Sequence, residues 1–157
     1  MRHLIIAMVQ NRPGVLARIV GLFAARGFNI ESLAVGETED EAVSRLTVVV
    51  AGDESIVEQV RKQLGKVVDV LKVQDLAGEK YVERDLMLLK VHAPARRRSE
   101  ILEIAHVFRA KVVDVGERNL VLETTGPEAK IDALIRLMRP YGIKELARTG
   151  RIAMIRS

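Results

Sequence analysis

The residues whose types and spacing suggest chemistry surround one short helix near the start of the chain. The stretch NRPGVLARIVGLFAARGFNIESL, residues 11–33, has Asn11 and a Pro-Gly pair before an apolar helical repeat, and Asn29 after it. Pro13 is predicted to be the first helical residue, since its ring pre-sets the helical φ. Gly14 lets a ligand approach the backbone closely. The unpaired N–H groups of a first helical turn, together with the helix dipole, attract a carboxylate.

An asparagine both donates and accepts hydrogen bonds, so Asn11 suits either charged group of a free amino acid. The pattern is typical of a receptor for a small amino acid. An ordinary helix with an asparagine cap and a Pro-Gly start is common, and the residues alone favour it.

The other candidate groups form no catalytic constellation. The three histidines have the spacing of neither a metal pair nor a nucleophile and its base: His3, His92 and His106. The acidic segment 37–41 falls in a predicted hairpin turn and lacks the Asp/Gly order of a calcium loop. The basic run ARRRSE, residues 95–100, indicates a solvated turn or a partner contact. These observations favour a regulator over an enzyme.

Composition restricts the class of protein further. The chain has 157 residues, 48% of them hydrophobic and only 3% aromatic, so its core must be aliphatic. It has no cysteine, which excludes disulfides and thiolate metal sites. The first apolar run, residues 4–9, is too short for a signal sequence or a membrane span. We expect a cytoplasmic protein without a membrane partner.

The net charge of +4 and the pI near 9.6 raise the alternative of a nucleic-acid partner. The excess of positive charge lies in residues 81–157. An RNA-binding sheet needs clustered aromatic side chains for base stacking, however, and the sequence has none. We therefore expect no nucleic-acid binding.

Two similar sets of elements would position these residues. Residues 1–76 show the order β-α-β-β-α-β, with Asp53 as the predicted N-cap of the second helix. The polar stretch 77–83 follows as a linker, and residues 84–157 repeat the order, with Ser99 as a possible cap and Pro127 as a predicted first helical residue. The predicted fold is α+β: two ferredoxin-like βαββαβ domains, each with two helices on one face of an antiparallel sheet.

Several predicted strands are apolar on both faces, including LIIAMV at residues 4–9 and LMLLKV at residues 86–91. Helices cover only one face of such a sheet, so something else must cover the second. A partner domain, a partner chain or both are the candidates. The sequence also predicts that residues 1–76 fold and bind a ligand alone.

Longer segments carry a family resemblance. The opening stretch extended to GETED, residues 11–40, resembles the ACT domain of the small regulatory subunit of acetolactate synthase, also called acetohydroxyacid synthase. The similarity continues in order through both halves: VSRLTVVVAGD, EQVRKQLGKVVDVLKV, VERDLMLLKV, VFRAKVVDV and ELARTGRIAMIR.

The resemblance implies a subunit without catalytic activity. Such a subunit activates a separate catalytic large subunit and confers feedback inhibition by valine or a related branched-chain amino acid. Thiamine diphosphate, FAD and Mg are expected only on the catalytic subunit, and a homodimer or higher homo-oligomer is expected.

The resemblance also implies an effector site at the interface of two ACT domains. The matching residues are Asn11, Gly14, Val15 and Leu16 from one chain, with Asn29 and Ile30 from the partner chain. Pro13 occupies a position at which family members vary, so the preferred effector varies with it. A glutamate at position 14 is expected to be tolerated by the fold, because acidic residues suit a first helical turn.

Three alternatives remain open on the sequence. A stand-alone ACT-type amino-acid sensor would share the first half, and only the VERD and ARTG segments of the second half argue against it. A ferredoxin-like enzyme lacks a visible acid-base pair or nucleophile. An RNA-binding module is favoured by the pI and opposed by the aromatic content.

Overall fold

A computed structural model describes all 157 residues. The chain forms two compact units, which we call unit 1 and unit 2. Unit 1 comprises Met1–Val82 together with Arg151–Ser157, and unit 2 comprises Glu83–Gly150. The first unit is therefore discontinuous in sequence, since its last strand follows the whole of the second unit.

Unit 1 contains an antiparallel sheet with two helices on one face. Its first six elements are β1 (Arg2–Gln10), α1 (Val15–Ala25), β2 (Ile30–Glu37), β3 (Val43–Ala51), α2 (Glu54–Gly65) and β4 (Val70–Asp75). The strand order is β2-β3-β1-β4. Alternate residues of β1, such as Ile5 and Ala7, are fully buried against both helices. This is the predicted βαββαβ arrangement.

The second face of this sheet is covered from within the chain. Leu4 and Ile6 of β1 and Val49 of β3 form a separate buried cluster with Ala153, and Tyr81 and Ile155 pack against it. Ala153 and Ile155 belong to β9 (Ile152–Ile155), which pairs with β5 (Tyr81–His92). The predicted need for cover is thus met in unit 1 by its own C-terminal strand.

Unit 2 repeats the arrangement. After β5 come α3 (Arg98–Val107), β6 (Lys111–Val115), β7 (Asn119–Gly126), α4 (Glu128–Met138), a 3-10 helix (Arg139–Tyr141) and β8 (Ile143–Arg148). The strand order is β6-β7-β5-β8. Its core is aliphatic, with fully buried Met87, Leu89 and Leu122 facing Ile101 and Leu134 of the helices.

The helix starts differ in detail from the sequence-based predictions. The prediction for Asp53 is confirmed, since its carboxylate accepts a hydrogen bond from the Ile56 N–H at 3.1 Å. Pro13 is not helical, because α1 begins at Val15. The cap predicted at Ser99 is wrong, because α3 begins one residue earlier and has no side-chain cap. Pro127 immediately precedes α4 instead of beginning it.

The boundaries of the units also differ from those expected. The polar stretch 77–83 was predicted to be a linker, but Tyr81 already begins the long strand β5. The division into compact units places residues 151–157, which are expected within the second domain, with unit 1. The reason is physical, because the apolar second face of the unit 1 sheet buries Ala153.

Candidate functional site

Asn11 lies in the loop between β1 and α1, and neighbouring residues fix its side chain. Its Nδ2 donates to the Glu37 carboxylate at 3.1 Å and to the Glu41 carbonyl at 2.9 Å. Both partners are acceptors, so the orientation of the amide is determined. Both amide hydrogens are therefore used within the chain. What Asn11 retains for a ligand is its Oδ1, which accepts a hydrogen bond from a group such as an ammonium.

The start of α1 has the features of an anion receptor. Gly14 is the N-cap residue, with φ +86°, and no side chain caps the helix. A Cβ built at Gly14 would have no neighbour within 4 Å, so the space above the backbone is open. The first turn contains no acidic residue. The N–H groups of this turn, including that of Leu16, thus have no side-chain acceptor and retain their attraction for a carboxylate.

Two further residues frame this helix start. Arg18, one turn into α1, forms an ion pair with Asp69, whose side chain is nearly buried. The backbone carbonyl of Asp69 accepts from the Gln10 N–H at 2.8 Å, next to Asn11. Sequence reasoning finds neither residue, because Asp69 lies within the apolar run VVDVLKV and its partner Arg18 is 51 residues away in the chain. No local pattern signals this pair.

The apolar candidates divide into one buried residue and two available ones. Val15 is only 3% exposed and belongs to the core of unit 1, whereas Leu16 is 42% exposed. Ile30 is half-buried at the start of β2 and packs against the same core. Leu16 and Ile30 therefore offer apolar surface to a ligand, and Val15 positions the helix.

Asn29 and Ile30 lie at the opposite end of the sheet from Asn11. Strands β1 and β2 both pair antiparallel with β3, so they run in the same direction. Gln10 lies opposite Val43, and Ile30 lies opposite Val50. At about 3.3 Å per residue, this separates the two asparagines of one chain by more than about 20 Å. One chain cannot bring both to the same small molecule.

The remaining candidate groups are dispersed. No group of three His, Cys, Asp or Glu side chains is placed to hold a metal ion. His3 is buried in β1, His92 ends β5 and His106 is exposed in α3. No helix of the structure is long and apolar enough to cross a membrane.

The basic run at residues 95–100 contributes largely to the structure of unit 2. The Arg98 guanidinium donates to the carbonyls of Ala93 and Gly116, at 2.9 and 2.7 Å. The Arg97 guanidinium lies over the Tyr141 ring, 5.3 Å from its centroid. Two of the three arginines thus tie loops together.

Comparison with known proteins identifies the family. A family model described as an AHAS small subunit-like ACT domain matches residues 5–72, and a model described as the small subunit of acetolactate synthase matches residues 84–157. The chain belongs to the acetolactate synthase small-subunit family. Both matches follow the order of the two units, and they confirm the resemblance drawn from the sequence.

Individual relatives agree over nearly the whole length. A probable acetolactate synthase small subunit of Archaeoglobus fulgidus is 55% identical over 99% of this chain and 98% of its own. The acetolactate synthase small subunit of Aquifex aeolicus is 51% identical over 99% of this chain and 81% of its own.

A solved structure confirms the fold of this small-subunit family member. The crystal structure of an acetolactate synthase small subunit from Thermotoga maritima superposes with a TM-score of 0.91 at 40% identity. The superposition covers 100% of this chain and 98% of the other. The predicted α+β class, with two ferredoxin-like domains of which the first is an ACT domain, is therefore confirmed.

Proposed function

We propose that this protein is the regulatory subunit of an acetolactate synthase in branched-chain amino acid biosynthesis, acting in the cytoplasm. It catalyses no reaction itself. It raises the activity of a separate catalytic large subunit and makes that subunit sensitive to valine, or to leucine or isoleucine. Thiamine diphosphate, FAD and Mg belong to the catalytic subunit. The observation that carries the proposal is the match to small subunits across both units.

The effector site that we propose begins at the helix start of α1. The amino acid's carboxylate meets the first-turn N–H groups from Leu16 onward, where no side-chain cap competes, while the Val15 N–H already donates to the Arg12 carbonyl. Its ammonium donates to Asn11 Oδ1 and lies near the Glu37 carboxylate, which is already 3.1 Å from the Asn11 amide nitrogen. This arrangement selects a zwitterion, because each charged group of the ligand faces a group of opposite polarity.

A second chain completes the proposed site with Asn29 and Ile30. The two ends of one sheet are too far apart to share a ligand, so these residues must come from a partner. Leu16 and the partner's Ile30 would enclose the branched side chain, which contributes roughly 1.5–3 kcal/mol when buried. The proposal therefore requires a homodimer or larger assembly. Light scattering on the isolated protein should give at least a dimer, and a stable monomer at micromolar concentration would remove the interface site.

Reconstitution tests the function as a whole. The isolated protein should form no acetolactate from pyruvate and bind no thiamine diphosphate. Added to its cognate large subunit, it should raise the rate of acetolactate formation, and valine should lower that rate again. An unchanged rate, with the two proteins failing to co-purify, would favour the stand-alone amino-acid sensor instead. Calorimetric titration with valine, leucine and isoleucine identifies the preferred effector.

A further inference from the structure

The segment that completes unit 1 is fixed to β2, the strand that begins at the proposed effector residue Ile30. We call residues 151–157 the C-terminal strap. The Arg151 N–H donates to the Ser32 hydroxyl at 3.0 Å, and the Arg45 guanidinium donates to the Ala153 carbonyl at 2.7 Å. Ser32 lies in β2, two residues after Ile30. The strap is thus anchored to unit 1 by polar contacts as well as by the burial of Ala153.

The backbone is irregular between the proposed effector residue and this anchor. The pairing of β2 with β3 shifts register between Ile30 and Ser32, so Glu31 is an extra residue on β2. A bulge of this kind bends its strand and sets the direction of the neighbouring side chains. A ligand that contacts Ile30 therefore acts directly on the segment that orients the Ser32 hydroxyl.

The residues just before the strap are held equally firmly within unit 2. The Arg148 guanidinium donates twice to one oxygen of Asp85, at 2.9 and 2.6 Å, and Asp85 is only 2% exposed. The Thr149 hydroxyl accepts from the Leu86 N–H at 3.1 Å. We call Asp85, Arg148 and Thr149 the Asp85 clamp. Asp85 belongs to the VERD segment, and the other two belong to ARTG.

Gly150 alone separates the clamp from the strap. Its φ is +88°, a left-handed conformation that side-chain-bearing residues rarely adopt. Arg151 of unit 1 is thus separated from Thr149 of unit 2 by a single residue. Both neighbours of Gly150 are held by hydrogen bonds, Arg151 through its N–H and Thr149 through its hydroxyl.

We infer that the C-terminal strap carries the effector signal from unit 1 to unit 2. This inference rests on the proposed function and names the regulation of the same site. An effector bound beside Ile30 changes the backbone conformation of the bulge at Glu31. This change moves the Ser32 hydroxyl that accepts from the Arg151 N–H. The strap then displaces the residues of the Asp85 clamp. Unit 2 passes this change on to the catalytic subunit as inhibition. Ser32 is a positioning residue here and takes no part in binding the effector.

We call this transmission through the C-terminal strap the relay. Ser32→Ala tests the relay, because it should change inhibition by valine without changing the binding of valine. In the full-length variant, calorimetry should give a valine Kd within about twofold of wild type, and activation without valine should be retained. The valine concentration for half-inhibition of the reconstituted enzyme should rise about tenfold, a typical size for the loss of one allosteric coupling. Ser32→Thr keeps the hydroxyl and should restore inhibition. Ser55→Ala removes a serine hydroxyl from the other side of unit 1 and should behave as wild type.

A substitution in the Asp85 clamp tests the relay independently of Ser32. Thr149→Val removes the hydroxyl in unit 2 at similar volume and should uncouple inhibition in the same way, even where Ser32→Ala unfolds. The relay is overturned when Ser32→Ala and Thr149→Val bind valine and are inhibited as wild type is. It is also overturned when Ser32→Ala weakens binding and inhibition in parallel. Wild-type protein that activates but does not bind valine would refute the proposed function itself, and the relay with it.

Discussion

At the scale of single residues, the chemistry of the proposed site depends on which hydrogen bonds are already made. Asn11 uses both amide hydrogens on Glu37 and Glu41, so it acts toward a ligand as an acceptor. The sequence predicts that an asparagine lies beside this helix start. It does not predict that both amide hydrogens of Asn11 are already bonded, because the two acceptors come from a hairpin more than twenty residues later in the chain.

Gly14→Glu should weaken valine binding by about tenfold or more. A carboxylate about 4 Å from that of the effector, at a surface-like dielectric, repels it by about 4 kcal/mol before relaxation. A third of that repulsion weakens binding about tenfold.

The expectation that the fold tolerates this glutamate is wrong in one respect. Gly14 has φ +86°, which costs a side-chain-bearing residue roughly 1–2 kcal/mol. Calorimetry with valine, run below the melting temperature of the variant, measures the effect.

Two controls separate charge from strain at this position. Gly14→Asn adds a neutral residue that tolerates the left-handed conformation, and it should bind valine within a fewfold of wild type. Gly21→Glu places the same charge two turns further along α1, in open space, and should leave binding unchanged. Equal loss of binding in Gly14→Asn and Gly14→Glu would assign the effect to the backbone and not to the carboxylate.

Arg148→Met should destabilise the protein by about 3 kcal/mol, because it leaves the Asp85 carboxylate buried without its cation. Asp132→Asn is the matched control. Asp132 is about half exposed and lies 3.3 Å from the same guanidinium, so its loss should cost less than about 1 kcal/mol. Urea unfolding of both variants measures the two costs. Similar values would show that Asp85 is less dependent on Arg148 than its burial indicates.

At the scale of elements, α2 shows how a local signal fixes a helix start. The Ser55 hydroxyl donates to Asp53 at 2.6 Å and the Ile56 N–H donates at 3.1 Å. These bonds lower the pKa of Asp53 below its usual value of 3.8. A lowered pKa in the folded state stabilises the protein above the unfolded value, and this stabilisation is lost as the pH falls through the folded value.

Asp53→Asn should therefore lower the melting temperature at neutral pH, and the difference from wild type should shrink between about pH 5 and pH 2. Asparagine keeps an acceptor for the helix N–H groups, so the comparison isolates the charge. Ser55→Ala removes the largest cause of the pKa shift and should weaken the pH dependence of the difference. Thermal unfolding over this pH range measures both. A difference that stays constant with pH would show that the Asp53 charge does not stabilise α2.

The order and type of the elements follow from the sequence because apolar spacing is a local property. The first and last residues of the elements are harder to predict from the sequence. The Asp53 cap was found because Asp and the helical repeat are adjacent, whereas α3 has no side-chain cap to find. The apolar run VVDVLKV, residues 67–73, begins three residues before β4, because pairing with β1 determines where the strand begins. Pairing partners are distant in sequence, and no window of a few residues contains them.

At the scale of the whole molecule, the decisive feature is a strand that returns to the first unit. The sequence correctly indicates that the apolar second face of the first sheet must be covered. It does not indicate by what, because IAMI at residues 152–155 is equally suited to closing the second sheet. The independence of residues 1–76 was predicted from the completeness of their βαββαβ order. Their boundary excludes Ala153, which buries Leu4 and Ile6, so this fragment would expose an apolar surface.

Ala153→Asp should therefore detach the C-terminal strap and lower the melting temperature of the full-length protein. The substitution places a carboxylate against buried aliphatic side chains, which is unfavourable without a compensating partner. Met154→Asp is the matched control, because this neighbouring side chain on the same strand is 64% exposed and should tolerate a charge. Melting curves and binding of a hydrophobic dye measure the outcome. If both variants melt as wild type does, burial of Ala153 does not stabilise unit 1.

The return of β9 also bears on how the protein matures during synthesis. A ribosome releases the first 82 residues well before the strap, and at about 5–20 residues per second the intervening unit delays its arrival by several seconds. During that interval Leu4, Ile6 and Val49 face water or a chaperone. Unit 1 thus becomes complete only after the whole of unit 2 has been translated. A nascent chain arrested at residue 150 should remain protease-sensitive in its first unit, so the order of translation delays the folding of unit 1 until the C-terminal strap has been made.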